Sequence, residues 1–245
     1  MSRFNFGRAS NIPPVVKNLI IINVVMFIAA LLFSNLFRTD LNRILGLFYI
    51  QSPLFQPWQI VTHMFMHGGF FHLLFNMWAL WIFGKTLESV WGGKRFLIYY
   101  LATGLGAMFF HELVMFIEMG GQVAAIKEFY HVDKISIGIL QEILTPGSQF
   151  YSAARGMVIP TVGASGAVFG ILLAFGMLFP NTPLIIIPFP MPIKAKWLVI
   201  GYGVLELYLG LTGAASGVAH FAHLGGMIFG YILIKYWNKS TRTFY

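Results

Sequence analysis

The chain has 245 residues, a formal net charge of +8, and 58% of its residues in the apolar and aromatic set, with 26 glycines besides. Only 10% are charged, against about 25% in soluble domains, and mean hydropathy is +0.75. This composition argues against a soluble globular domain, a disordered chain or a nucleic-acid binder, and the absence of Cys removes disulfides, thiolate metal sites and Cys nucleophiles.

A membrane-spanning helix needs about 20 mostly apolar residues. The first candidate covers 18–37, a charge-free run too long for a signal peptide and without a small-residue cleavage site. The second covers about 70–90 and the third about 96–117. The fourth covers 162–179 and stops at Pro180, which cannot continue a helix. The proline-rich PNTPLIIIPFPMPIKAK reads as a loop. The fifth covers 195–211 and the sixth about 217–235, with LTGAASG between them. The expectation is an all-α polytopic membrane protein occupying residues 1–245 as one domain. Six spans put both termini on one side. Eleven of the 16 Lys/Arg fall on that side, so both ends are expected in the cytoplasm. The net charge then faces anionic lipid rather than nucleic acid. Segment 118–157 is expected outside as a loop, and ISIGILQEIL within it has the pattern of an interfacial helix.

Polar groups inside membrane helices are costly and often functional. VGASGAVFG (162–170) opens the fourth span, AHFAHLGGMIFG (219–230) lies in the sixth, HLLFN (72–76) in the second, and Glu206 in the fifth. Ser165 falls near a helix N-terminus, where free N–H groups favour negative charge. Gly166, Gly170 and Ala174 form one small-residue stripe, and Ala222, Gly226 and Gly230 another. Such stripes let helices approach closely. Spans four and six run in the same direction. Ser165 precedes its stripe by one residue and His223 follows its own by one, so both point to one side of the contact. His223 is then placed to take the Ser165 proton and return it. His72 and Asn76, four apart, share a face at similar depth and suit stabilisation of an oxyanion. Each group also has a packing role open to it. Glu206 has two readings: a contact to cavity water or a gating loop, or a structural hydrogen bond to a neighbouring helix.

His63 and His67 are four apart, but Met64 stands where a zinc protease H-E-x-x-H needs Glu, and HELVM (111–115) lacks its second His. No metal or cofactor is expected. His67 and His220 read as structural or rim residues.

The motifs His72-x-x-x-Asn76, GASG (Gly163 to Gly166) and AHLGGxxxG (Ala222 to Gly230) resemble, in chain order, those of the rhomboid intramembrane serine proteases, over roughly residues 16–237. The resemblance implies a six-helix bundle with a Ser165–His223 dyad and no Asp partner. It implies His72, Asn76 and the Ser165 N–H as oxyanion donors, Phe169 stacked on His223, and span five with the 210–217 loop as a gate. The implied activity is serine endopeptidase cleavage of single-pass membrane proteins in or near their spanning segment. The implied location is a lipid bilayer as a multi-pass protein, with a bacterial inner membrane expected. Two features depart from the family pattern: Trp58-Gln59 stands where Trp-Arg is common, and the stretch between spans three and four is long. The alternatives are a catalytically inactive rhomboid-like protein that binds membrane clients, and a transporter. The chain retains both Ser and His against the former, and lacks an internal repeat against the latter.

Overall fold

The computed structural model describes residues 12–186, 189–213 and 219–240. Arg3, Arg8 and Arg242, used above to orient the chain, and residues 214–218 of the supposed gating loop, lie outside those residues.

Helix α1 (Pro14–Phe37) starts with proline at its first position, where a missing N–H costs nothing. Its free N–H groups are met from elsewhere: Val15 and Val16 donate to the Glu88 carboxylate at 3.0 and 2.7 Å. The helix exposes Ile21, Ile22, Val25, Ile28, Leu31 and Leu32, a face suited to lipid. The next stretch holds short α2 (Leu41–Leu45) and α3 (Gln59–Thr62) and is organised around Gln59, which is 1% exposed. Its amide donates to the Ile44 and Leu54 carbonyls, and its Oε1 accepts from Gln56 and Phe48. Gln59 is thus a buried loop tie.

Helix α4 (Phe70–Ala79) runs through a π-helical turn (Leu80–Gly84) into α5 (Lys85–Trp91). Glu88 sits on α5, so the end of this segment also caps α1. Helix α6 (Gly93–Phe129) has 37 residues, about 55 Å at 1.5 Å per residue. The helix continues past 117, the expected end of the third span, so the first part of the expected outer segment is helical. No proline interrupts 118–129, and the extension has a core of its own. Met119, Val123 and Ile126 pack with Tyr49 and with residues of α7 (Ile137–Ile143) and α8 (Tyr151–Val158), among them Leu140, Ile143, Ala153 and Met157. The Ser136 hydroxyl accepts from the Ile139 N–H and caps α7.

Helix α9 (Ser165–Leu178) begins three residues later than expected, because Gly163 has a φ of 128° that no right-handed helix contains. The proline-rich segment beyond it is an antiparallel pair, β1 (Pro183–Ile186) with β2 (Phe189–Lys194), rather than a plain loop. Helices α10 (Ala195–Thr212) and α11 (His220–Ser240) follow. Among the described residues, α1 and α6 are long and apolar enough to cross a membrane, and α9 is apolar but shorter.

Helices α6, α9 and α11 pack against one another, with most of α9 buried. A Cβ on Gly226 would overlap the Gly166 carbonyl oxygen, so the α9 and α11 backbones touch there. The two small-residue stripes meet at this level. Gly170 lies against Thr103, and Gly230 against Tyr99 and Thr103, because α6 fills the space between the helices further along.

Candidate active site

Ser165 is the first residue of α9. The chain reaches it through Gly163, whose φ of 128° is a left-handed value that glycine alone takes readily. Gly163 donates its N–H to the His63 carbonyl at 2.9 Å. Room also demands glycine here: a Cβ would stand 2.8 Å from Nε2 of His72 and 3.6 Å from Oγ of Ser165. The imidazole of His72 and the hydroxyl therefore border the same small space. No side chain caps the helix at Ala164, so the Ser165 N–H has no partner within its helix.

The Gly166–Gly226 contact brings His223 of α11 to Ser165 of α9. Nε2 of His223 and Oγ of Ser165 are 2.8 Å apart, 58 positions apart in the chain. Phe169, one turn on from Ser165, stacks on the His223 ring at 4.2 Å and 6°. The ring is held flat and 8% exposed.

Glu206 arrives from α10, 7% exposed. Its Oε2 lies 2.6 Å from Nδ1 of His220, a short hydrogen bond. The same oxygen is 3.0 Å from Nδ1 of His223, a close contact bent away from hydrogen-bond alignment. Of the two readings of Glu206, the link to a neighbouring helix is the one observed, and that helix carries His223. His220, expected as structural or at the rim, is buried in this link.

Glu206, His220 and His223 place three ligand-type atoms within 4.8 Å of one another. Zinc with ligands at ~2.0–2.1 Å spaces tetrahedral ligand atoms ~3.3 Å apart. The 2.6 Å Glu206–His220 separation fits a direct hydrogen bond instead. Nδ1 of His63 bonds the Gln59 carbonyl at 2.8 Å, and His67 packs edge-on against His72 at 5.1 Å.

His72 accepts a long hydrogen bond from the Gly68 N–H on Nδ1 (3.4 Å). That leaves the ring proton on Nε2, the nitrogen facing Gly163 and Ser165. Asn76 is 6% exposed and donates one amide hydrogen to the His72 carbonyl at 3.0 Å, leaving its second for another acceptor. His111 meets the Thr161 hydroxyl at 3.0 Å, so it braces the approach to α9. In the loop ahead of α4, burial lowers the pKa of His63 to about 4. Burial and the neighbouring His72 lower that of His67 to about 4 as well.

Together these groups place a hydroxyl, an imidazole in contact with it and hydrogen-bond donors beside it, an arrangement that nucleophilic chemistry can use. Residues 54–239 match the Rhomboid domain, and the chain belongs to the rhomboid family, whose members are integral membrane proteins. It is 27% identical to Rhomboid protein 1, mitochondrial, of Saccharomyces cerevisiae, over 78% of this chain and 44% of that protein. It is 24% identical to the rhomboid protease AarA of Providencia stuartii, over 95% of this chain and 74% of that one. It is 27% identical to the rhomboid protease GluP of Bacillus subtilis, over 71% and 25%. The chain thus spans less than half the length of the yeast and Bacillus relatives.

Proposed function

We propose that the protein is an intramembrane serine endopeptidase that cuts single-pass membrane proteins in or near their spanning segment. The observation that carries this reading is the 2.8 Å approach of Ser165 Oγ to His223 Nε2 between two packed helices. Ser165 attacks the scissile carbonyl and His223 takes its proton on Nε2. His223 then gives that proton to the leaving amine. The tetrahedral oxygen accepts from the Ser165 N–H and from the Nε2–H of His72, with the spare amide hydrogen of Asn76 as a third donor. Water attacks the acyl-enzyme in the second half, again with His223 as base.

The proposed setting is a six-span bundle of α1, the α4–α5 segment, α6, α9, α10 and α11, with both termini in the cytoplasm, in a bacterial inner membrane. The Lys/Arg distribution supports the orientation. Helix α9, with 14 residues, is about 21 Å long, against about 30 Å of hydrocarbon. Starting at Ser165, it leaves the nucleophile below the outer face, where a cavity open to that face supplies water. A substrate helix has to unwind to expose a peptide bond, so Gly or Pro near the cut favours cleavage.

The test is a fluorophosphonate probe on the purified protein. Labelling of the wild type and its loss in Ser165→Ala and His223→Ala supports the reading. An unlabelled, folded wild type that still captures membrane clients overturns it in favour of a non-catalytic client-binding role.

A further inference from the structure

We infer that Glu206 is a positioning residue for His223, so that the site works as a Ser165–His223–Glu206 chain in which His220 holds the carboxylate in place. The inference rests on reading Ser165 and His223 as nucleophile and base.

Three observations carry it. Glu206 is buried on a helix whose neighbouring side chains Val204, Leu205, Leu207 and Tyr208 are all exposed, so its placement inside is specific to that one residue. Its Oε2 stands 3.0 Å from Nδ1 of the same imidazole whose Nε2 meets Ser165 at 2.8 Å. The hydroxyl and the carboxylate thus approach opposite nitrogens of one ring. Thirdly, the carboxylate does not hang freely: the 2.6 Å bond from Nδ1 of His220, three positions before His223 on the same helix, fixes it.

The chemistry follows from donor and acceptor roles. A carboxylate accepts and does not donate, which keeps a proton on Nδ1 of His223. The lone pair is then on Nε2, the nitrogen that must receive the Ser165 proton. As that proton moves, imidazole becomes imidazolium beside a negative oxygen, and the developing charge is stabilised where it forms. Phe169 limits tilting of the ring out of its plane and Glu206 limits its rotation within it. His220 acts through Glu206, to which it is bonded. The bent Nδ1 contact places the expected effect below that of a fully aligned carboxylate.

The experiment compares Glu206→Gln, Glu206→Leu, Glu206→Asp and His220→Asn in detergent, reading kcat, KM, fluorophosphonate labelling rate and thermal stability. In parallel, 15N-histidine spectra report the ring tautomer, with the His223 signal assigned by its absence in His223→Ala. Glu206→Gln keeps the size and should lower kcat and labelling rate about 10²-fold at unchanged KM and Tm, against ~10⁴-fold for an aligned triad carboxylate turned to amide. Glu206→Leu should fall at least as far, and Glu206→Asp should restore part of the loss. His220→Asn should cost less than either. The His223 signal should change from a fixed Nδ1–H form to a tautomer mixture in Glu206→Leu. Wild-type kcat in Glu206→Gln, or loss that tracks Tm, overturns the inference. So does equal loss in His220→Asn and Glu206→Gln with the His223 tautomer unchanged, which would make Glu206 a helix link only. An unlabelled wild type overturns the protease reading instead, and the tautomer spectra then decide the inference alone.

Discussion

Gly226 rests against the carbonyl of Gly166 with no room for a methyl group between them, one position beyond Ser165 and three beyond His223. This backbone contact sets the distance between α9 and α11 and with it the 2.8 Å Ser165–His223 approach. Gly226→Ala must push the helices apart. Overpacking costs about 1–3 kcal/mol, and a displacement of about 1 Å at reacting atoms costs about 10²-fold in rate. The expected outcome is a lower Tm together with at least that loss of probe labelling. Full labelling in Gly226→Ala would mean that the site tolerates separation of the helices.

Ser165→Ala and His223→Ala should each abolish cleavage of a transmembrane reporter substrate, and the double variant should be no worse than either one. Groups that act as a unit lose their effect together. Chelators should leave activity unchanged. Substantial turnover by either single variant contradicts the assignment.

Donors to an oxyanion act mainly in the transition state, so loss of the proposed donors His72 and Asn76 should lower kcat more than it raises KM. One donor is typically worth about 10²–10³-fold. Asn76 already spends one hydrogen on the His72 carbonyl, so Asn76→Ala should fall at or below the low end of that range. His72→Ala should cost more, since Nε2 faces Gly163 and Ser165. Wild-type kcat in Asn76→Ala, with Tm lowered, would make Asn76 a packing residue.

Glu88 accepts from the Val15 and Val16 N–H groups at the start of α1 while 3% exposed. Hydrogen bonds to a charged group contribute about 1.5–3 kcal/mol each. Glu88→Ala should therefore lower thermal stability in detergent by several degrees while leaving the proposed activity's KM, measured on the remaining folded protein, unchanged. An unaltered Tm would show that water caps α1 equally well.

Protonation of His63 should destabilise the fold. Burial lowers its pKa from 6.5 to about 4, so the unfolded chain binds the extra proton first. The stabilisation present above pH 6.5 is lost as pH falls from 6.5 towards 4. His67 adds to the same slope. Melting curves across pH 4–8 should show Tm falling over that window, and His63→Asn should flatten part of the slope. A Tm that is flat between pH 6.5 and 4 would contradict neutral burial of these rings.

Composition and local pattern alone determined the helical membrane class, the approximate helix cores, and Ser165, His223, His72 and Asn76 as the residues to watch. Those properties live in short windows: apolar run length, small residues at spacing four, and polar groups where apolar ones are expected. Even the pairing of α9 with α11 was legible, because glycine at close contact leaves a periodic trace. That trace overreached at Gly170 and Gly230, where Thr103 and Tyr99 of α6 fill the gap. Tertiary structure alone decided the partners of Glu206, Glu88 and Gln59. Each is a single polar residue whose role depends on which distant backbone or imidazole reaches it. It also decided that α6 continues to Phe129, because the apolar surface that supports the extension comes from α7, α8 and Tyr49. A hydrogen bond or a packed face between segments far apart in the chain leaves no periodic mark in either segment, so it exists only once the helices have docked.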